Sequence, residues 1–223
     1  MDANVGGHRS LLGNELRQIR ELILTMGEAV DKAIARATRG LVERDADLCA
    51  AVVAEDAAVN ALQAEARELS HTAILTQAPV ARDLREIMGF LHMASEFERM
   101  GDHCVNIARI GRILADLPPL DANLEIPLMA QYCAEQVRDI LGAVVAADVD
   151  QARAVAARDD RVDHIYRSIL AAIVQLMSDD SEVVFRGTQL ILVAHNLERI
   201  ADRVTNLAED LVFLETGEIE ELG

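Results

Sequence analysis

Leu91-His92-Met93-Ala94-Ser95-Glu96-Phe97-Glu98-Arg99-Met100-Gly101-Asp102 returns 100 positions later as Ile191-Leu192-Val193-Ala194-His195-Asn196-Leu197-Glu198-Arg199-Ile200-Ala201-Asp202, and Asn106 then falls on Asn206. A shift of 103 lays Asp56, Val59 and Asn60 over Asp159, Val162 and Asp163 in the stretch that precedes each copy. Self-similarity at a near-constant spacing marks a duplicated structural unit, and the small difference between the two shifts is absorbed in a connecting loop.

Outward from this repeat, the apolar spacing is helical throughout. Leu12, Leu16, Ile19, Ile23, Met26, Val30, Ala33, Ala37 and Leu41 alternate steps of four and three, the seam of a coiled-coil-like helix. Asp45 is placed to cap a second helix, with the stripe Leu48, Val52, Val59, Leu62, Ala66 and Leu69, that ends near Gln77 ahead of Pro79. Pro79 suits the first turn of a third helix, which carries Leu84, Ile87, Leu91, Ala94, Val105 and Ala108 and ends near Leu114. Residues Ala115 to Asn123, with Pro118 and Pro119, form the linker. The pattern then restarts, with a fourth helix over Leu124 to Ala147, a fifth from Asp148 to Met177 and a sixth from Asp180 to Leu214. The expected fold is all-α: six long helices in two tandem three-helix bundles, residues 9–115 and 123–215, related by the internal repeat.

Composition agrees with this and narrows the partners. A hydrophobic fraction of 51% in 223 residues supplies a core, and with 3% aromatics and no Trp that core must be aliphatic, which favours helix over sheet. A formal charge of -17 argues against nucleic acid, whose binders need basic surfaces, and against an anionic membrane surface. It favours a basic protein face or a metal cation. No apolar run approaches the ~20 residues of a membrane span, and Met1 to Ser10 lacks the layout of a signal peptide, so a cytoplasmic location is expected. Cys49, Cys104 and Cys133 have no paired spacing and are read as reduced, buried, small hydrophobes.

The chemistry lies where the third helix interrupts its own seam. Residues four apart share a helix face, so Glu98, Asp102 and Asn106 form one oxygen-bearing ridge and Glu198, Asp202 and Asn206 another. Like charges at that spacing repel, and facing a bundle they must be salt-bridged, protonated or bound to a cation. Arg99 and Arg199, turned away by about 100° on an ideal helix, are awkward partners. If the second helix packs beside the third, Asp56 and Asn60 complete one cluster, and Asp159 and Asp163 complete the other from the fifth helix. Carboxylate and amide oxygens without thiolate suit magnesium, manganese or iron better than a closed structural zinc site. Gly101 and Ala201 remove bulk beside the acids. His92, His103 and His195 do not recur under the shift and are read as structural or surface residues. Glu68 and His71 give only one Glu-x-x-His, which disfavours a ferritin-like di-iron protein, and no phosphate loop or nucleophile elbow is present.

With these residues in view, the chain resembles the PhoU family over nearly its whole length. The likeness is carried by Glu98-Arg99-Met100-Gly101-Asp102, Glu198-Arg199-Ile200-Ala201-Asp202, Asp56-Ala-Ala-Val-Asn60, Asp159-Asp-Arg-Val-Asp163 and Gln77-Ala-Pro-Val-Ala-Arg-Asp-Leu-Arg85. Ala201 stands where the family usually has Gly, and Asn60 leaves the first cluster one charge poorer. The resemblance implies two three-helix bundles, multinuclear metal sites and frequent homodimers. The metal, whether Mg, Mn, Fe or Zn, would be held by Asp56, Asn60, Glu98, Asp102, Asp159, Asp163, Glu198 and Asp202. Asn106 and Asn206 are added from the ridge spacing alone. It also implies a non-enzymatic role: repression of the phosphate-starvation response and of phosphate uptake, between the ATPase subunit of a phosphate ABC transporter and a sensor histidine kinase. Two other readings remain beside it, a metal-dependent helical hydrolase or oxidase using the same acids, and a histidine phosphotransfer bundle using His195 or His92.

Overall fold

The computed structural model describes residues 3–120 and 124–223, so Asn123, the expected start of the second bundle, lies outside the described residues. The described residues are helical, with no strand: α1 Ala3–Glu43, α2 Ala46–Gln77, α3 Arg82–Ala115, α4 Ile126–Ala146, α5 Val149–Ala156, α6 Asp159–Asp179 and α7 Val184–Thr216, with one 3₁₀ turn at Ser181–Val183. Asp45 caps α2 by accepting from the Leu48 N–H at 2.8 Å, and Asp148, 103 positions on, caps α5 by accepting from the Gln151 N–H at 2.9 Å. Each satisfies an N–H that the helix start leaves unpaired.

Two boundaries differ from the sequence expectation. Pro79 does not open α3. Ala78 and Ala81 on either side take φ values of 45° and 47°, and the helix begins at Arg82. The residue before a proline is held out of the right-handed helical region, so the chain leaves α2 at Ala78 and re-enters a helix only beyond the turn. The expected fifth helix is broken at Ala157 and Arg158 into α5 and α6, and Arg158 Nη2 is tied to Asp139 Oδ2 of α4 at 2.6 Å. Asp159 therefore begins α6.

Within each repeat the three-helix unit packs on itself, and the repeats meet along α1 against α4 and α3 against α7, with α2 and the α5–α6 pair on the outer flanks. Contacts that climb α3 descend α7, from His92 with Asp210 to Asn106 with Asn196, so the two helices are antiparallel. One hydrophobic cluster runs through both repeats, from Ile19, Ile23 and Met26 through Phe97, Met129 and Ile140 to Leu207 and Leu211. A smaller one, Leu12, Leu16, Ala73 and Ile87, closes one end of the first repeat. Arginines fasten helix ends across the junctions. Arg20 of α1 donates to Val144 O and, at 2.9 Å, to Val145 O at the end of α4. Arg44 donates to Ala115 O at 2.7 Å and to Leu117 O beyond α3, and Arg186 of α7 holds Pro118 O at 2.8 Å. Among the described residues no helix is long and apolar enough to cross a membrane.

Candidate metal centres

The first cluster is set by α2 lying beside α3. Asp56 Oδ2 accepts from Asn60 Nδ2 at 3.1 Å, one helical turn on. Burial raises the Asp56 pKa, the Asp102 charge raises it further, and the Asn60 hydrogen bond and Arg109 oppose both. Glu98 is raised by burial, then by Asp102 and Asp56. The three carboxylates thus sense one another across the α2–α3 contact. A Cβ placed on Gly101 would meet Asp56 Oδ1 at 3.4 Å and Val59 Cγ1 at 3.7 Å, ordinary contact distances, so α2 lies close against α3 here without requiring a glycine. A cavity of about 340 Å³ adjoins this point, lined by Val30, Ala33, Val52, Asp56, Gly101 and Cys104 among others.

The second cluster is more heavily charged. Asp159, the first residue of α6, has its pKa pushed up to about 6 by burial, then by Asp202, Asp163, Glu198 and Asp160. Glu198 is raised by burial and Asp202, with His195 and Arg199 opposing. Asp159 Oδ1 and Glu198 Oε2 are buried without a hydrogen-bond partner. His195 Nδ1 lies 3.4 Å from Glu198 Oε2, within ion-pair range but outside hydrogen-bond geometry. The outer acids have their own counter-ions: Asp163 Oδ2 accepts from Arg167 Nη2 at 2.8 Å, and Asp202 Oδ2 lies 2.6 Å from Arg199 Nη1. Arg199 is therefore a working partner, contrary to the ideal-helix expectation, because a long side chain reaches forward to the residue one turn on.

Asn106 and Asn206 belong to neither cluster. Asn106 Nδ2 donates to Asn196 Oδ1 at 3.4 Å, and Asn206 Nδ2 donates to Glu96 Oε2 at 2.9 Å, both across the α3–α7 contact. Another four-residue step carries each amide away from the acid face and onto the neighbouring helix. The remaining eight residues divide as the repeat implies, with Asp56, Asn60, Glu98 and Asp102 in one group and Asp159, Asp163, Glu198 and Asp202 in the other. Among the described residues no three Asp, Glu, His or Cys side chains converge closely enough to enclose a metal ion. The donor chemistry nonetheless fits a hard cation, since the two buried, unpartnered oxygens of Asp159 and Glu198 are unfavourable unless something positive or hydrogen-bonding meets them.

Comparison with known proteins supplies the context for this arrangement. The family model described as the PhoU domain matches twice, at residues 23–111 and 126–211, once in each repeat. A phosphate-specific transport system accessory protein PhoU homolog of Zymomonas mobilis is 31% identical over 96% of this chain and 91% of its own. The protein of the same description from Clostridium acetobutylicum is 32% identical over 94% of this chain and 96% of its own. The crystal structure of PhoU from Pseudomonas aeruginosa aligns with a TM-score of 0.89 and 28% identity, covering 92% of this chain and 99% of that one. The phosphate transport system regulatory protein PhoU from Streptococcus pneumoniae aligns with a TM-score of 0.88 and 28% identity, covering 95% and 100%.

Proposed function

This chain belongs to the PhoU family, and from that membership we propose that it regulates phosphate uptake as an accessory protein of a phosphate-specific transport system. On this reading it acts in the cytoplasm as a negative regulator, repressing the phosphate-starvation response when phosphate is plentiful. It couples the ATPase subunit of the phosphate ABC transporter to a sensor histidine kinase, and it works as a homodimer. The observation that carries the reading is the end-to-end likeness to proteins described as phosphate-transport accessory proteins, over 96% of this chain in one case.

The acid clusters fit the same role as cation sites. Asp56, Asn60, Glu98 and Asp102 would hold an ion between α2 and α3, and Asp159, Asp163, Glu198 and Asp202 would hold one between α6 and α7. A bound Mg, Mn, Fe or Zn ion would supply the positive charge that lets these carboxylates remain ionised side by side. A regulator of this kind needs no bond-making step. It shifts a partner's conformational equilibrium by binding one state more tightly than another.

Deletion of the gene tests the regulatory reading. The expected outcome is derepressed phosphate-starvation transcripts in high phosphate, restored by the wild-type gene. Full repression in the deletion strain, with no second homologous gene present, would overturn it. The alternative, a metal-dependent hydrolase or oxidase, would require turnover of a phosphoester or dioxygen by the purified manganese- or iron-loaded protein, abolished in Asp102→Ala.

A further inference from the structure

The antiparallel pair α3 and α7 joins the two repeats, and the repeat gives the polar contacts between them counterparts. Glu96 Oε2 accepts from Asn206 Nδ2 at 2.9 Å and from Arg203 Nη1 at 3.2 Å. At the positions shifted by 100, Asn196 Oδ1 meets Asn106 Nδ2 at 3.4 Å and His103 Nδ1 at 2.9 Å. One junction is thus built from a buried carboxylate and a guanidinium. The other uses an amide and an imidazole whose pKa burial lowers, which favours its neutral form. The inequality continues outward. His92 Nδ1 lies 2.7 Å from both oxygens of Asp210, and its Nε2 lies 3.9 Å from Glu96 Oε1. The repeat-related positions of His92 and Asp210 hold Leu192 and Ile110. One end of the α3–α7 seam therefore carries a titratable histidine–carboxylate pair, and the equivalent end carries an aliphatic pair.

We propose that His92, Asp210 and Glu96 form a proton-responsive clasp, which ties the N-terminal part of α3 to the C-terminal part of α7 while His92 and Asp210 share a proton and loosens when that proton leaves. With the proton present, one hydrogen bond joins the Asp210 carboxyl to the His92 ring and no carboxylate charge is buried there. Without it, Asp210 is a largely buried anion whose nearest partner is a neutral ring. The charged groups around the pair are His92 and Glu96 on α3 and Arg203 and Glu209 on α7, with Glu209 Oε1 in turn accepting from the Leu222 N–H of the C-terminal tail at 3.0 Å. Arg203 serves Glu96 as a standing counter-ion, leaving the His92–Asp210 pair as the part that switches.

The titration agrees with this geometry. Burial pushes the Asp210 pKa up to about 6 from an ordinary 3.8, the His92 charge and hydrogen bond oppose the rise, and Glu96 and Glu209 add to it. A carboxyl raised in the folded chain keeps its proton where the unfolded chain would have lost it. The stabilisation is therefore present below the ordinary value and is lost as pH rises through about 6. The proton belongs to the pair rather than to either residue. None of the proposed cation ligands is among the charges named as shifting Asp210, which are His92, Glu96 and Glu209.

Hydrogen exchange on the full chain tests the clasp, read on α3 around residue 92 and on α7 around residue 210 at pH 5.5 and 7.5 after correction for intrinsic rates. The wild type should open at this end roughly fourfold more readily at the higher pH, with no such change around Ile110 and Leu192. Asp210→Asn, which can still accept from His92, should remove the dependence. His92→Gln, at an exposed position, should enlarge the dependence, because the His92 charge and hydrogen bond oppose the rise in the Asp210 pKa, and it carries the test if the first variant folds poorly. Protection that is constant across this range in the wild type, a dependence equal at both ends of the seam, one that persists in Asp210→Asn, or one that vanishes in His92→Gln would overturn the clasp.

Discussion

Glu96 is only 2% exposed, and one of its oxygens takes hydrogen bonds from both Arg203 and Asn206. Truncation would leave a guanidinium, whose Nε already has no partner, facing a void. Glu96→Ala is therefore expected to destabilise the protein by about 3 kcal/mol, and Glu96→Gln by clearly less because it keeps an acceptor, as read by urea denaturation. A second expectation concerns the unpartnered oxygens of Asp159 and Glu198. Manganese or magnesium added to chelator-treated protein should raise stability by about 2.7 kcal/mol at a hundredfold excess over Kd. Asp159→Asn and Glu198→Gln should each blunt that rise. A thermal midpoint indifferent to both ions in the wild type would count against cation binding. The recurrence of the acid motifs could be read from sequence because they stand at matched positions. Glu96 could not, because its repeat partner is Asn196 and nothing in the linear pattern separates a buried acid from a solvated one.

At the scale of elements, α1 shows how far a periodic pattern reaches. Of its expected seam only Ala33 is not fully buried, and the neighbouring Ile34 takes that place in the core. In α3 the single stripe was too narrow. Leu84 is exposed, while Phe90, Met93, Phe97, Met100, Cys104 and Ile107 are buried. The helix is packed by α1, α2 and α7 together, so apolar residues are needed on several faces and no one stripe describes it. One close contact involves Cys49 of α2, whose Sγ would lie 2.7 Å from a Cβ on Gly111 of α3 and 2.6 Å from one on Gly40 of α1. The Gly111 Cβ would also lie 3.4 Å from Leu41 Cα, which is backbone and cannot swing away. Gly111→Ala is expected to cost about 1–3 kcal/mol by overpacking. Cys49→Ala should recover part of that cost, a coupling that a double-mutant cycle measures directly.

At the scale of the whole molecule, the repeat describes two bundles while the core is one. The central cluster passes without interruption from Ile19 in the first repeat to Leu211 in the second, and Arg20, Arg138 and Arg186 reach from one repeat to the other or to the linker between them. The repeats are therefore expected to unfold together, in a single calorimetric transition whose van't Hoff and calorimetric enthalpies agree. Two resolved transitions would show that the shared core does not couple them. A joint of this kind suits a regulator, since an ion or a partner that reorients one repeat must act on the other through α3 and α7.

The linear order of residues was enough to establish an all-helical chain, its duplication, its family and the recurrence of its acid motifs, because helical periodicity and repeat spacing are properties of sequence distance alone. Only the packed structure decided where Asn106 and Asn206 point, that the fifth helix breaks before Asp159, that Arg199 answers Asp202, and that Glu96 is buried beside a His92–Asp210 pair. Each of these depends on which helix lies against which and on how deeply a charge is enclosed, and residues more than 100 positions apart carry no mark of that meeting until the chain has folded.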